Sequence, residues 1–251
     1  MNEETPAVAA APSDVWAGLR GLTPARIGIG RSGDALPTGQ QLALRLAHAR
    51  ARDAVHAPLD LAGVQRALSD HPVVHVRSAA PDRPTYLQRP DLGRTLAAGE
   101  ADKLAVTEPD LAFVVADGLS PLAAQSHAPQ MIEATIARLP DWSVGPVVVA
   151  TQARVALGDE IGAALGARFV VVLIGERPGL SAADSLGIYL TFGPHVGRRD
   201  SERNCISNVR PPVGLSYAVA ADKLVALLLE ARRLGLTGVE LKDEAPTLEA
   251  G

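Results

Sequence analysis

Residues 168–192 read RFVVVLIGERPGLSAADSLGIYLTF. From Phe169 to Gly175 the run is apolar without polar alternation, and it breaks at once into Glu176-Arg177-Pro178-Gly179. A strand of a parallel sheet, covered by helices on both faces, reads as such a continuous apolar run. The sudden charge, proline and glycine mark its carboxyl end, where ligands of such sheets sit.

Two similar runs precede it. Leu111–Ala116 is an apolar strand ending at Asp117-Gly118-Leu119-Ser120-Pro121, and Pro146–Ala150 ends at Thr151-Gln152-Ala153-Arg154. Helical patterns alternate with them, over about Ser120 to Arg138 and about Val155 to Leu165, with Gly166 as a stop signal. Ile188–Phe192 is a candidate fourth strand, and Ala218 to Leu234 is a final helix ending near Gly235. Strands alternating with helices of this length predict an α/β fold with a doubly wound parallel sheet. Three strand ends then carry polar and small residues, Asp117-Gly118, Thr151 to Arg154 and Gly175-Glu176-Arg177, and would form one rim. Turn residues are polar in any case, so the pattern alone leaves a ligand site and a plain turn both open.

The segment before this sheet reads differently. From about Thr23 to Lys103 it is Arg-rich, helix-like and interrupted by loops. Thr38-Gly39-Gln40-Gln41 has the spacing of a capping box, with Thr38 as N-cap. Leu42, Leu46 and Ala49 follow at helical spacing, and the helix should stop before Pro58. A second helix is expected from Leu59 to Leu68, capped by Asp60. Val73 to Gly93 holds three prolines and reads as extended chain with loops.

Composition narrows the functional classes. The 251 residues are compatible with one or two domains. Aromatics are only 3%, so the core must be built from Ala, Val, Leu and Ile. A net charge of −4 argues against a nucleic-acid binder. Of 24 basic residues 21 are arginine, which suits contacts to anions but equally reflects base composition. The single cysteine, Cys205, excludes an internal disulfide and fits a reducing compartment. No apolar run reaches the length of a spanning helix, and the acidic, Pro/Ala-rich start lacks the features of a secretory signal. Residues 1–20 are expected to be a disordered tail, although Val15 to Leu19 could form a short amphipathic anchor.

Other constellations offer less. Gly28-Ile29-Gly30-Arg31-Ser32-Gly33 matches G-x-G-x-x-G, but a dinucleotide fingerprint needs a strand before it and a helix directly after. Pro37 blocks that helix, so a tight loop is the reading. Cys205 could act as a nucleophile with His195 as base, or line a site, or simply pack. His71 and His75 are four apart, but Pro72 and extended Val73-Val74 intervene. Asp117 suits a catalytic carboxylate and equally an acidic residue at a helix N-terminus.

Seven segments in this order resemble one family. They are residues 23–31 (TPARIGIGR), 36–38 (LPT), 48–60 (HARARDAVHAPLD), 86–94 (YLQRPDLGR), 116–120 (ADGLS), 173–180 (LIGERPGL) and 204–208 (NCISN). Together they resemble the small (light) subunits of ethanolamine ammonia-lyase, an adenosylcobalamin-dependent radical lyase. The resemblance implies a helical N-terminal domain over residues 21–103 and a Rossmann-like domain over 104–251. It implies conversion of ethanolamine to acetaldehyde and ammonia, with the catalytic residues in a separate large subunit and none here. The small subunit would lie over the cobalamin at the interface of a hetero-oligomer. The family's cobalamin contacts fall on Val155, Glu176 and Cys205. No Asp-x-His-x-x-Gly is present, which fits a cobalamin that keeps its own base on cobalt. The implied location is the cytoplasm, free or within a bacterial microcompartment. Two other readings stand beside it: an independent nucleotide-dependent α/β enzyme, and an assembly subunit that never touches the cofactor.

Overall fold

A computed structural model describes residues 14–242. The expected tail therefore lies largely outside the described residues. The chain divides into two compact units, one up to His48 and one from Ala49 onward.

The first unit holds α1 (Ala17–Leu22), the loop after it, and the start of α2 (Thr38–His56). The glycine motif forms that loop: Gly28, Gly30 and Gly33 all have positive φ, at 54°, 79° and 62°. No strand precedes it among the described residues, so it is the tight loop expected. The cap of α2 differs by one residue from expectation. Gln41 donates its backbone N–H to the carbonyl of Pro37 at 3.0 Å, so the helix already includes Thr38. Pro37 fills the cap position because its carbonyl accepts the first helical bond, a role that needs no side chain.

In the second unit α2 ends at His56, before Pro58, and α3 (Leu61–Ala67) is capped by Asp60, whose side chain accepts from Gly63 N–H at 2.9 Å. The proline-rich stretch from Val73 to Gly93 contains more order than expected: β1 (Val73–Arg77) and α4 (Arg83–Gln88). Asp82 caps α4 through Thr85 N–H at 2.8 Å and Pro84 sits in its first turn, where a missing N–H costs nothing.

The sheet continues with β2 (Leu111–Ala116), β3 (Val147–Thr151), β4 (Phe169–Gly175), β5 (Leu186–Phe192) and β6 (Asn204–Val209). Its order is β1-β3-β2-β4-β5-β6. The three strands β2 to β4 are parallel, as expected, and β1, which was not expected as a strand, joins them in parallel beside β3. A wholly parallel sheet is not found, because β5 runs antiparallel to β4 and β6 antiparallel to β5. A parallel return needs a crossover of a dozen or more residues, usually helical. Glu176 to Ser185 supplies only ten, with Pro178 and Gly179 among them, so the chain must turn back.

Helices α5 (Pro121–Ile136), α6 (Leu157–Leu165) and α7 (Tyr217–Leu234) cover the sheet. Ser120 and Ser216 cap α5 and α7, and Gly166 and Gly235 end α6 and α7 in the left-handed conformation. Along β2 and β4 the side chains alternate between two cores. Leu111, Phe113, Val115 and Phe169 join α5 and α7 on one face, while Ala112, Val114, Val170 and Val172 join α6 on the other. Chain order explains the two faces. The segment through α5 leads from β2 to β3, and that through α6 leads back past β2 to β4. Crossovers of one hand that travel in opposite directions lie on opposite faces.

Candidate functional site

A cleft of about 430 Å³ opens at the carboxyl ends of the parallel strands. Gly118 and Leu119 after β2, Val155 after β3, and Gly175-Glu176-Arg177 at the end of β4 line it. Two of the three rim segments read from the sequence converge there directly, and the third does so through Arg154 and Val155.

Glycine makes that convergence possible. A Cβ on Gly118 would meet the Gly175 carbonyl oxygen at 2.3 Å, and Gly118 also has φ +54°. A Cβ on Gly175 would meet the Ser120 carbonyl oxygen at 1.9 Å. Leu119 N–H donates to the Gly175 carbonyl at 2.9 Å, fastening the two strand ends.

Asp117 is a fastener too. It is 2% exposed, and its carboxylate accepts the backbone N–H groups of Gln152 at 2.8 Å and Ala153 at 2.9 Å. Arg83 Nη1 lies 3.6 Å from the same carboxylate. Burial pushes the Asp117 carboxyl up, while the two N–H groups and Arg83 favour its charged form. Gln152 is held at φ 54°, a conformation seldom adopted outside glycine, by this pair of bonds. The carboxylate is thus committed to shaping the end of β3, not to a substrate.

Tyr86, from α4, forms another wall. Its ring is fully buried, with the Arg83 guanidinium 4.7 Å and the Arg154 guanidinium 4.5 Å from its centroid. Its hydroxyl donates to the Ala153 carbonyl at 3.1 Å, and burial pushes its pKa up to about 12.

Glu176 reaches across to the antiparallel edge. Its carboxylate accepts from the hydroxyls of Ser185 and Ser207, and from Asn208 N–H at 3.4 Å. Ser207 and Tyr189 complete this side of the cleft. Cys205 is exposed and pairs across β5–β6 with Tyr189. Tyr189 and Cys205 lie side by side in that pairing, and partial desolvation raises the pKa of both groups. Cys205 therefore borders the cleft through Tyr189. His195 is engaged elsewhere, with Nδ1 at 2.9 Å from the Gly193 carbonyl.

Of the residues expected from sequence, Val155 and Glu176 line the cleft and Cys205 stands one side chain away. Tyr86, Tyr189, Ser185 and Ser207 escaped the sequence reading. Scarcity was a usable signal for two of them, since the chain has only three tyrosines. The serines carried none: Ser185 sits in the loop before β5, and Ser207 is on β6, a short, mostly exposed edge strand whose pattern resembles a loop. The histidine pair does not form a shared site: His71 Nε2 lies 2.7 Å from Glu133 Oε1, and His75 is on β1.

With this geometry in place, comparison with known proteins is direct. The family model for "Ethanolamine ammonia-lyase light chain (EutC)" matches residues 13–242. An ethanolamine ammonia-lyase small subunit from Azotobacter vinelandii is 54% identical, covering 98% of this chain and 93% of the relative. One from Xanthomonas campestris pv. campestris is 55% identical, covering 93% and 89%. One from Rhodococcus erythropolis is 51% identical, covering 92% and 90%.

Proposed function

The chain belongs to the ethanolamine ammonia-lyase light-chain family, and from that premise we propose that its carboxyl-end cleft holds one edge of adenosylcobalamin against a large catalytic subunit. The reaction is the conversion of ethanolamine to acetaldehyde and ammonia, with the reacting groups supplied by the partner chain. The second unit serves as a Rossmann-like platform for the cofactor.

The observation that carries this reading is the meeting of Val155, Glu176 and the Tyr189–Cys205 pair around one cleft. They come from three separate parts of the chain. The donor set suits a corrin rim bearing amide groups. Glu176 is a carboxylate acceptor for amide N–H, and charge-assisted bonds are the stronger kind. Val155 and Tyr189 offer apolar surface for a flat ligand. A cleft of about 430 Å³ is too small for a whole cobalamin, which supports a site completed by another chain. When bound, adenosylcobalamin supplies radical chemistry through its cobalt–carbon bond. This chain's residues bind, orient and exclude water: Ser185 and Ser207 fix the Glu176 carboxylate, and Asp117 fixes the loop carrying Val155.

The test is co-expression with a candidate large subunit, followed by addition of adenosylcobalamin and ethanolamine. Acetaldehyde is expected from the pair only. Glu176→Ala should leave the complex assembled and weaken cobalamin binding by roughly tenfold. Unchanged affinity on equilibrium titration would remove Glu176 from the contact set and favour a purely architectural subunit.

A further inference from the structure

The cleft carries more positive charge than its own carboxylates balance. Arg154 and Arg177 both line it. Neither makes an ion pair with a carboxylate among the described residues. Arg83, which also packs on the Tyr86 ring, is matched by Asp117 at 3.6 Å. Glu176 already accepts from two serine hydroxyls and one backbone N–H. Arg154 is held in place without being neutralised. Its guanidinium stacks 4.5 Å from the Tyr86 centroid, and Nη2 donates to the Tyr86 carbonyl at 3.3 Å. Its Nε is buried without a partner. Arg177 is exposed at the cleft's mouth. Guanidinium groups, one held in place and one at the mouth, suit a tetrahedral oxyanion, which accepts several N–H bonds at once.

We propose that Arg154 and Arg177 form an anion subsite that takes the phosphodiester of the ligand's nucleotide tail. This rests on the reading that the cleft holds cobalamin, whose phosphodiester is the anionic group on its periphery. The two arginines are binding and positioning residues. They would select a ligand carrying its complete nucleotide loop over one that lacks it.

The experiment uses the complex co-expressed with the large subunit and two ligands, cyanocobalamin and dicyanocobinamide, which lacks the phosphodiester and base. Affinities are read by equilibrium spectroscopic titration of wild type, Arg154→Met, Arg177→Met and Arg154→Lys. Expected is a loss of roughly tenfold or more for cyanocobalamin in each Met variant, with cobinamide affinity unchanged. Arg154→Lys should keep part of the discrimination, since it keeps the charge. Arg177 makes no hydrogen bond or ion pair among the described residues, so its variant reads the subsite even if Arg154→Met disturbs Tyr86. Equal losses for both ligands, or no loss for either, overturn the proposal. If Glu176→Ala weakens cyanocobalamin binding while both arginine variants bind it normally, only the anion subsite fails. If the wild-type complex binds neither ligand, the cobalamin reading fails and takes the subsite with it.

Discussion

Gly118 and Gly175 decide how close the ends of β2 and β4 can come. The first side-chain atom at Gly118 would sit 2.3 Å from a backbone oxygen, where neither partner can yield as a flexible side chain would. Its φ of +54° adds strain for any residue with a Cβ. Gly118→Ala should therefore destabilise the complex by about 2–4 kcal/mol and widen the cleft. Thermal unfolding of the co-expressed complex measures the first effect and cobalamin titration the second. A midpoint within a degree of wild type would mean that the strand ends separate freely. Asp117 shows how misleading a residue can be in isolation. Read from sequence it suits catalysis or a helix dipole, yet each of its oxygens accepts a backbone N–H, from Gln152 and from Ala153.

Among the elements, the antiparallel edge depends on one buried pair. Arg203, just before β6, donates to both carboxylate oxygens of Asp159 on α6, at 2.6 and 2.7 Å, and to Thr191 on β5 at 3.0 Å. Their side chains are 2% and 3% exposed. Arg203→Met would leave a buried carboxylate unpaired, at a cost of about 3–5 kcal/mol. Adding Asp159→Asn should restore part of it, and denaturant midpoints of both variants check the coupling. Helices α5 and α7 are joined differently, by His127 Nδ1 and the Tyr217 hydroxyl at 2.8 Å. Burial holds the His127 pKa below its ordinary 6.5, against an opposing pull from Asp184. Below about pH 6.5 the unfolded chain gains a proton that the fold excludes, so His127 contributes most above that value and its contribution is lost on acidification. The stability gap between wild type and His127→Gln should narrow from about pH 7 to about pH 5.5. A gap that stays constant would mean that the imidazole charges without cost.

For the whole molecule, the placement of apolar surface is informative. Val15, Trp16, Leu19 and Leu22 are 46–83% exposed, and Leu42 and Leu46 on α2 are 58% and 52% exposed. Exposed apolar clusters of this kind mark interaction surfaces or aggregation liabilities. The chain expressed alone should be markedly less soluble than the chain expressed with its large subunit, as judged by the soluble fraction and by size-exclusion chromatography. Equal solubility and a monodisperse peak for the isolated chain would show that this surface needs no cover.

Much of the fold was legible because burial on two faces leaves a one-dimensional trace. Phe169 to Gly175, Leu111 to Ala116 and Val147 to Ala150 are apolar throughout, and Ser120, Gly166 and Gly235 punctuate the helices between them. Seven motif segments also sufficed to identify the family. Edge strands leave a weaker trace: β1 and β6 are only partly buried, so their pairing, and the antiparallel turn between β4 and β5, emerge only in the sheet. The same limit applies to the cleft. Sequence could mark Glu176 as the end of a strand, because the break in polarity is local. That its carboxylate meets Ser207, that Tyr86 is flanked by two arginines, and that Arg154 and Arg177 line one cavity was decided by tertiary packing. Those contacts join residues far apart in the chain, and no local pattern encodes the distance between them.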